Sequence, residues 1–340
     1  MSPAPHPSPP ADRPLHAEHP YDALTPELVL AAIEALGLAC DGRLLALNSF
    51  ENRVYRVGIE DAPPLVAKFY RPERWSDAAI IEEHAFTAEL ALAELPTVPP
   101  LVLADGSLHR HQGFRFALFP VRGGRAPEPD HPDTLHRLGT LLGRIHAIGG
   151  QRRFVHRPTL APIADARAAG DVLVNGGWLP SQHRTRFDDR LAELLDALAV
   201  RLDQVGPQPL IRLHGDCHLG NLLWRDDSAH FVDFDDACTG PAVQDLWMLL
   251  SGARDDQDRQ WHCLLDGYSR FADIDPAQRL LVEPLRAVRL LRHHAWIANR
   301  WHDPAFPAAF PGFAEARHWD GFLAQFEELL ASLTGEGSGD

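Results

Sequence analysis

The 340-residue chain is 45% hydrophobic and 23% charged, an ordinary globular composition long enough for about two domains. Its 32 basic against 47 acidic residues leave a formal charge of −15, without the basic footprint that a nucleic-acid partner requires. Four cysteines without a CxxC pair argue against a disulfide framework or a cysteine zinc site, and no bilayer-spanning apolar run or signal peptide is visible, so a cytoplasmic protein with no membrane partner is expected.

Residues 1–20 are rich in proline and poor in apolar side chains, which predicts a disordered tail, and residues 335–340 are expected to fray. The first helix starts at Thr25 as N-cap with Pro26 behind it and stops at Gly37. Short strands follow at Leu44–Leu47, Arg53–Val57 and Leu65–Tyr70, the last alternating so that Val66, Lys68 and Tyr70 share one face. A long helix runs from the Ser76 cap to Leu95, where Pro96 ends it. Val98–Leu103 and Phe114–Pro120 read as two further strands joined through a turn at Asp105-Gly106. Strands, one helix, then strands make a small α+β unit over residues 21–120.

Val121–Pro132 is rich in glycine and proline and reads as a hinge. Beyond it, residues 121–334 are mostly helical, with helices at Asp133–Ile148, Arg184–Leu202, Val243–Ser251, Arg259–Phe271, Pro276–Arg300 and His318–Leu333. One polar, strand-rich island over residues 210–236 interrupts them. A small sheet lobe and a larger helical lobe meeting at a hinge make a cleft.

The island carries the densest chemistry. A turn at Asp226-Asp227-Ser228 joins strand Asn221–Arg225 to strand Ala229–Phe234, which places Asn221 and Asp233 opposite one another at the open end, with Asp216 on the loop entering it. An amide oxygen beside a carboxylate suits Mg²⁺. A second carboxylate that the metal does not need can accept a proton from an attacking hydroxyl, the arrangement used in phosphoryl transfer. A rival reading makes His214, Asp216 and His218 ligands of a hydrolytic metal centre, and a bland one makes the hairpin purely structural.

Lys68 is the only lysine in the chain; every other basic side chain is arginine. A compact ammonium on a flexible stem suits contact with ATP phosphates, the alternative being a solvated lysine at a strand edge. Glu83 shares a helix face with Phe86 and Leu90 and can point inward to orient it, whereas Glu82 points about 100° away. No glycine-rich loop is present; Asn48-Ser49-Phe50-Glu51-Asn52 stands where one would lie, with backbone N–H groups and the Ser49 hydroxyl as donors. Arg286, Arg289 and Arg292 recur every three residues on one helix, where pairing with acidic neighbours or solvent is the favoured reading and contact with a phosphate or an acidic substrate the alternative.

His214-Gly215-Asp216-x4-Asn221 followed by Val232-Asp233-Phe234-Asp235 resembles the aminoglycoside phosphotransferase and choline kinase-like group. The longer strings LNSFENRVYRV (47–57), RLHGDCHLGNLLWRD (212–226) and GPAVQDLWMLL (240–250) resemble its bacterial stress-response protein kinases. The resemblance implies a bilobal protein-kinase-like fold and ATP-dependent phosphorylation of Ser/Thr on proteins. It implies catalysis by Asp216, as proton acceptor, together with Asp233, and Mg²⁺ ligation by Asn221 and Asp233. Ser49, Lys68 and Glu83 would belong to the ATP site, Phe116–Pro120 would lead into the adenine hinge, and Asp245 would brace the catalytic loop. A monomer is the expectation. The alternatives are a small-molecule kinase of the same fold and a silent nucleotide-sensing relative.

Overall fold

The computed structural model describes residues 19–103, 106–128 and 131–334. The expected tails over 1–18 and 335–340, and Asp105 of the expected turn, lie outside these residues. His19 and Pro20 belong to the described fold, and His19 Nε2 reaches Asp303 at 2.8 Å.

The smaller lobe contains helix α1 (Pro26–Glu34), strands β1 (Cys40–Leu47), β2 (Arg53–Ile59) and β3 (Ala62–Phe69), helix α2 (Asp77–Leu92), and strands β4 (His109–His111) and β5 (Phe114–Pro120). Both caps read from the sequence are made: Thr25 accepts from the Leu28 N–H and Ser76 from the Ala79 N–H. The strands form one antiparallel sheet in the order β1-β2-β3-β5-β4. Alternation along β3 sorts its side chains. Ala67 and Phe69 join Val29, Ile33, Phe116 and Leu118 in a core under α1, while Tyr70 packs with Ile80 and Ala117 on the α2 side. Lys68 shares that second face and is buried there.

The strand expected at Val98–Leu103 does not form. Pro99 and Pro100 have no N–H to give a ladder, so this stretch runs beside β5 with Leu101 donating to Leu118 O at 2.7 Å. The edge strand is β4 instead.

The larger lobe begins with α3 (Pro132–Gly149), α4 (Pro162–Asn175), α5 (Arg184–Val205) and β6 (Ile211–Leu213). The β7 (Leu222–Arg225) and β8 (Ser228–Phe231) hairpin follows, then β9 (Cys238–Gly240), α6 (Val243–Trp247), α7 (Arg254–Tyr268), α8 (Val282–Arg300), α9 (Ala305–Ala309) and α10 (Ala316–Thr334). Helix α4 was not anticipated; it buries only Ala166, Ala169, Gly170 and Leu173, too small an apolar stripe to stand out in the sequence. The helix expected from Pro276 starts as a 3₁₀ turn over Pro276–Leu281 and becomes α-helical at Val282, where Pro284 falls in the first turn and needs no donor.

Helices α3 and α7 approach closely because glycine permits it: a Cβ on Gly139 would lie 2.0 Å from Leu264 O, and one on Gly267 2.0 Å from His136 O. Leu138, Leu142, Leu264, Leu246 and Phe231 belong to the core that supports the hairpin. A second core gathers Phe187, Leu291, Phe313, Trp319 and Phe326. The segment after β5 is tied to the hairpin by Arg125, which exchanges backbone hydrogen bonds with Trp224 at 3.1 and 2.7 Å.

Candidate active site

The catalytic loop candidate leaves β6 at Leu213 and is shaped by one buried carboxylate. Asp245, on α6, accepts from the His214 N–H at 2.8 Å and the Gly215 N–H at 2.9 Å, and lies 3.1 Å from His146 Nε2. Gly215 has φ +84, and a Cβ there would stand 2.1 Å from Asp236 O, so the position requires glycine on both counts. His214 Nε2 lies 2.9 Å from Val232 O and its ring packs 4.4 Å from that of Phe234, so His214 ties the loop to the strand below. His218 Nδ1 accepts from the Gly220 N–H. Among the described residues no cluster of His, Cys, Asp or Glu forms a metal site, which disposes of the three-ligand reading of His214, Asp216 and His218.

The hairpin forms as expected, but its register differs by one. Asp226 and Asp227 both have positive φ and make a two-residue turn, so Arg225 pairs with Ser228 and Leu222 with Phe231. Asn221 therefore stands level with Val232, whose N–H donates to Asn221 O at 3.0 Å, and Asp233 lies one residue further on, in the left-handed region at φ 59. The centre of symmetry falls between the two turn aspartates rather than on Asp227.

Asn221 Nδ2 donates to Asp216 O at 3.0 Å and faces Asp216 Oδ2 at 3.4 Å. With its nitrogen so engaged, its amide oxygen remains an acceptor. Asp216 is further contacted by Arg289 Nη1 at Oδ1 and by His218 Nε2, 3.4 Å from Oδ2. Burial alone would raise the Asp216 carboxyl, but the His218 contact and the Arg289 guanidinium hold it well below the usual carboxylate range.

Across the cleft, Lys68 Nζ lies 2.7 Å from Asp233 Oδ1 and 3.3 Å from Asp235 Oδ1. Burial works against its charge, yet the two carboxylates hold its pKa above the ordinary lysine value. Asp235 is buried and surrounded by donors: Asn52 Nδ2 at 3.1 Å, the Arg74 guanidinium and Lys68. Glu83 faces inward and is buried, and burial, opposed by Lys68 and Arg157, pushes its carboxyl up to about 7. Its influence on Lys68 is through charge; the carboxylates that touch the ammonium are Asp233 and Asp235. Glu82 takes another part, accepting from the N–H groups of Val155, His156 and Arg157 at 2.6, 2.7 and 2.9 Å and so tying α2 to the larger lobe.

Ser49 sits on the β1–β2 loop, whose neighbours are anchored in the larger lobe. Phe50 packs edge-on against Trp296 and Phe306, and Glu51 accepts from Trp296 Nε1 at 2.6 Å and Arg300 Nη2 at 2.9 Å. Behind the loop, Asp303 is fully buried and receives Arg53 at 2.9 Å, Arg71 at 2.6 Å and His19. Sequence reading weighed Glu82 only as a partner for Lys68 and missed its tie to residues 155–157, and it missed Asp303 and the contact of Arg289 with Asp216. Each partner is more than 70 residues away, and no local spacing signals it.

The donor set fits a hard divalent cation. Asn221 retains an amide oxygen, and Asp233, half-exposed, engages only Oδ1 with Lys68, so two oxygens of the kind Mg²⁺ prefers lie on adjoining positions.

Residues 43–280 match the phosphotransferase enzyme family. The chain is 41% identical over 313 residues to stress response kinase A of Escherichia coli (strain K12), covering 92% of this chain and 94% of that protein. It is also 41% identical over 315 residues to the serine/threonine protein kinase RdoA of Salmonella typhimurium (strain LT2), with the same shares covered. Among solved structures, amicoumacin kinase hAmiN in complex with AMP-PNP, Ca²⁺ and Ami matches with a TM-score of 0.67 at 16% identity, over 93% of this chain and 98% of that one.

Proposed function

The chain belongs to the phosphotransferase enzyme family, and from that premise we propose that it is an ATP-dependent serine/threonine protein kinase acting in a bacterial stress response. The observation that carries the reading is the 2.7 Å pairing of Lys68, from the smaller lobe, with Asp233, which follows Val232 opposite Asn221 and the Asp216 loop. The name of the Salmonella relative supports proteins as acceptors.

In this mechanism Lys68 and the Ser49 loop hold the ATP phosphates in the cleft. The acceptor hydroxyl approaches Asp216, which takes its proton as the oxygen bonds to the γ-phosphorus and ADP departs. Asn221 and Asp233 would hold Mg²⁺, which neutralises phosphate charge when bound. Asp245 fixes the loop so that Asp216 does not have to be ordered at the moment of reaction. Among the described residues no helix is long and apolar enough to cross a membrane. The reading includes a monomer working in the cytoplasm on ATP and protein substrates, without nucleic acid.

The test compares transfer of labelled γ-phosphate from Mg·ATP onto a protein extract and onto the metabolite pool of the same cells, using the wild type and Asp216→Ala. Label on Ser/Thr of proteins that disappears with Asp216→Ala supports the reading. Label confined to metabolites replaces it with a small-molecule kinase.

A further inference from the structure

Of the three arginines spaced along α8, two have ordinary partners. Arg286 pairs with Glu283 at 2.9 Å and lies 5.6 Å from the Trp247 ring, and Arg292 faces Asp165 at 3.9 Å. Arg289 is different: its Nη1 donates to Oδ1 of Asp216, the residue that receives the acceptor's proton. Its side chain is 43% exposed, and its further contact is Met248 Sδ at 3.9 Å. A half-exposed ion pair of this kind adds little to stability, so folding alone does not account for a guanidinium placed on the base.

The geometry of the cleft separates two sides of Asp216. Lys68, Asp233 and Asp235 gather where the smaller lobe meets the hairpin. Arg289 comes from the larger lobe and meets the other carboxylate oxygen from the one shared by His218 and Asn221. A hydroxyl coming to Asp216 therefore arrives beside a guanidinium that has used one of its five N–H donors on the base. In a chain of net charge −15, Arg289 is a half-exposed guanidinium beside the base. A carboxylate carried by the acceptor can take the free edge of the fork in two parallel hydrogen bonds, which a lysine ammonium cannot match in geometry.

We propose that Arg289 sets acceptor specificity, selecting hydroxyls flanked by an acidic side chain and positioning them over Asp216. The acceptor carboxylate ion-pairs with the guanidinium, and Asp216 keeps a lone pair on Oδ1 for the hydroxyl proton. Arg289 forms no bond to the transferred group. The inference rests on the protein-kinase reading.

The test uses the full chain with Mg·ATP and three otherwise identical serine peptides, flanked by Asp/Glu, by Asn/Gln or by Lys. The wild type is expected to favour the acidic over the neutral peptide by about tenfold or more in kcat/KM, chiefly through KM. Arg289→Gln is expected to bring that ratio within about threefold, Arg289→Lys to keep part of it, and Arg289→Glu to turn the preference toward the Lys-flanked peptide. A wild type that treats the three peptides alike overturns this inference alone. So does an Arg289→Gln variant that lowers kcat on all three equally with the ratio intact. Absence of transfer onto every peptide and protein overturns the protein-kinase reading together with it.

Discussion

Glu82 and Arg157 lie 75 residues apart, yet the Arg157 N–H donates to the Glu82 carboxylate at 2.9 Å, beside the N–H groups of Val155 and His156. One side chain on α2 thus satisfies three successive backbone donors of the larger lobe. Glu82→Ala leaves all three without it and is expected to cost roughly 1–3 kcal/mol. Urea denaturation measures this, and an unchanged midpoint would contradict it.

Asp216→Asn and Asp233→Asn keep the size of the side chain and are expected to retain the far-ultraviolet spectrum while losing phosphoryl transfer. The loss at Asp216 should be about 10²–10⁴-fold in kcat. Near-wild-type turnover by Asp216→Asn would remove it from the proton-accepting role.

Lys68→Arg preserves charge but asks a buried site to hold a larger planar group beside Asp233 and Asp235. It is expected to weaken ATP binding nearly as much as Lys68→Met does. Calorimetric titration with a non-hydrolysable ATP analogue reads this directly; full affinity in Lys68→Arg would show that a point charge suffices.

The Glu83 carboxyl, pushed up by burial from 4.5 to about 7, binds its proton more tightly in the folded than in the unfolded chain. Its contribution to stability is complete below pH 4.5 and is lost as pH climbs through about 7. Relative to Glu83→Gln, the wild type should therefore lose thermal stability between about pH 5 and pH 8. Parallel melting curves across that window would count against it.

Asp303 is fully buried with Arg53, Arg71 and His19 around it. Asp303→Ala leaves a buried Arg71 with Glu51 as its remaining carboxylate and is expected to cost on the order of 3–5 kcal/mol. A loss below about 1 kcal/mol would mark the cluster as replaceable.

What could be read from sequence was what neighbours in the chain determine. Thr25 and Ser76 cap their helices because an N-cap needs only the next three residues, and Lys68 shares a face with Val66 and Tyr70 because side chains alternate along β3. The hairpin was legible in type but off by one in register, since turn residues of positive φ are usually Asn or Gly rather than Asp-Asp. What escaped was long-range. Nothing near Glu82 announces three amides from residues 155–157, and nothing near Arg289 announces Asp216. The failed strand at Val98–Leu103 shows the converse, an apolar run whose two prolines outweighed its hydrophobicity.

The solitary lysine has a practical consequence. Apart from the terminal amine, the chain offers acylating reagents a single primary amine, and that amine is buried between two carboxylates that keep it protonated. Brief treatment with an amine-directed ester is therefore expected to spare this position in the folded chain and to add one group there in the unfolded chain, a difference that intact-mass spectrometry counts. The fraction modified at rising denaturant becomes an opening curve for the cleft that needs neither mutation nor a labelled ligand.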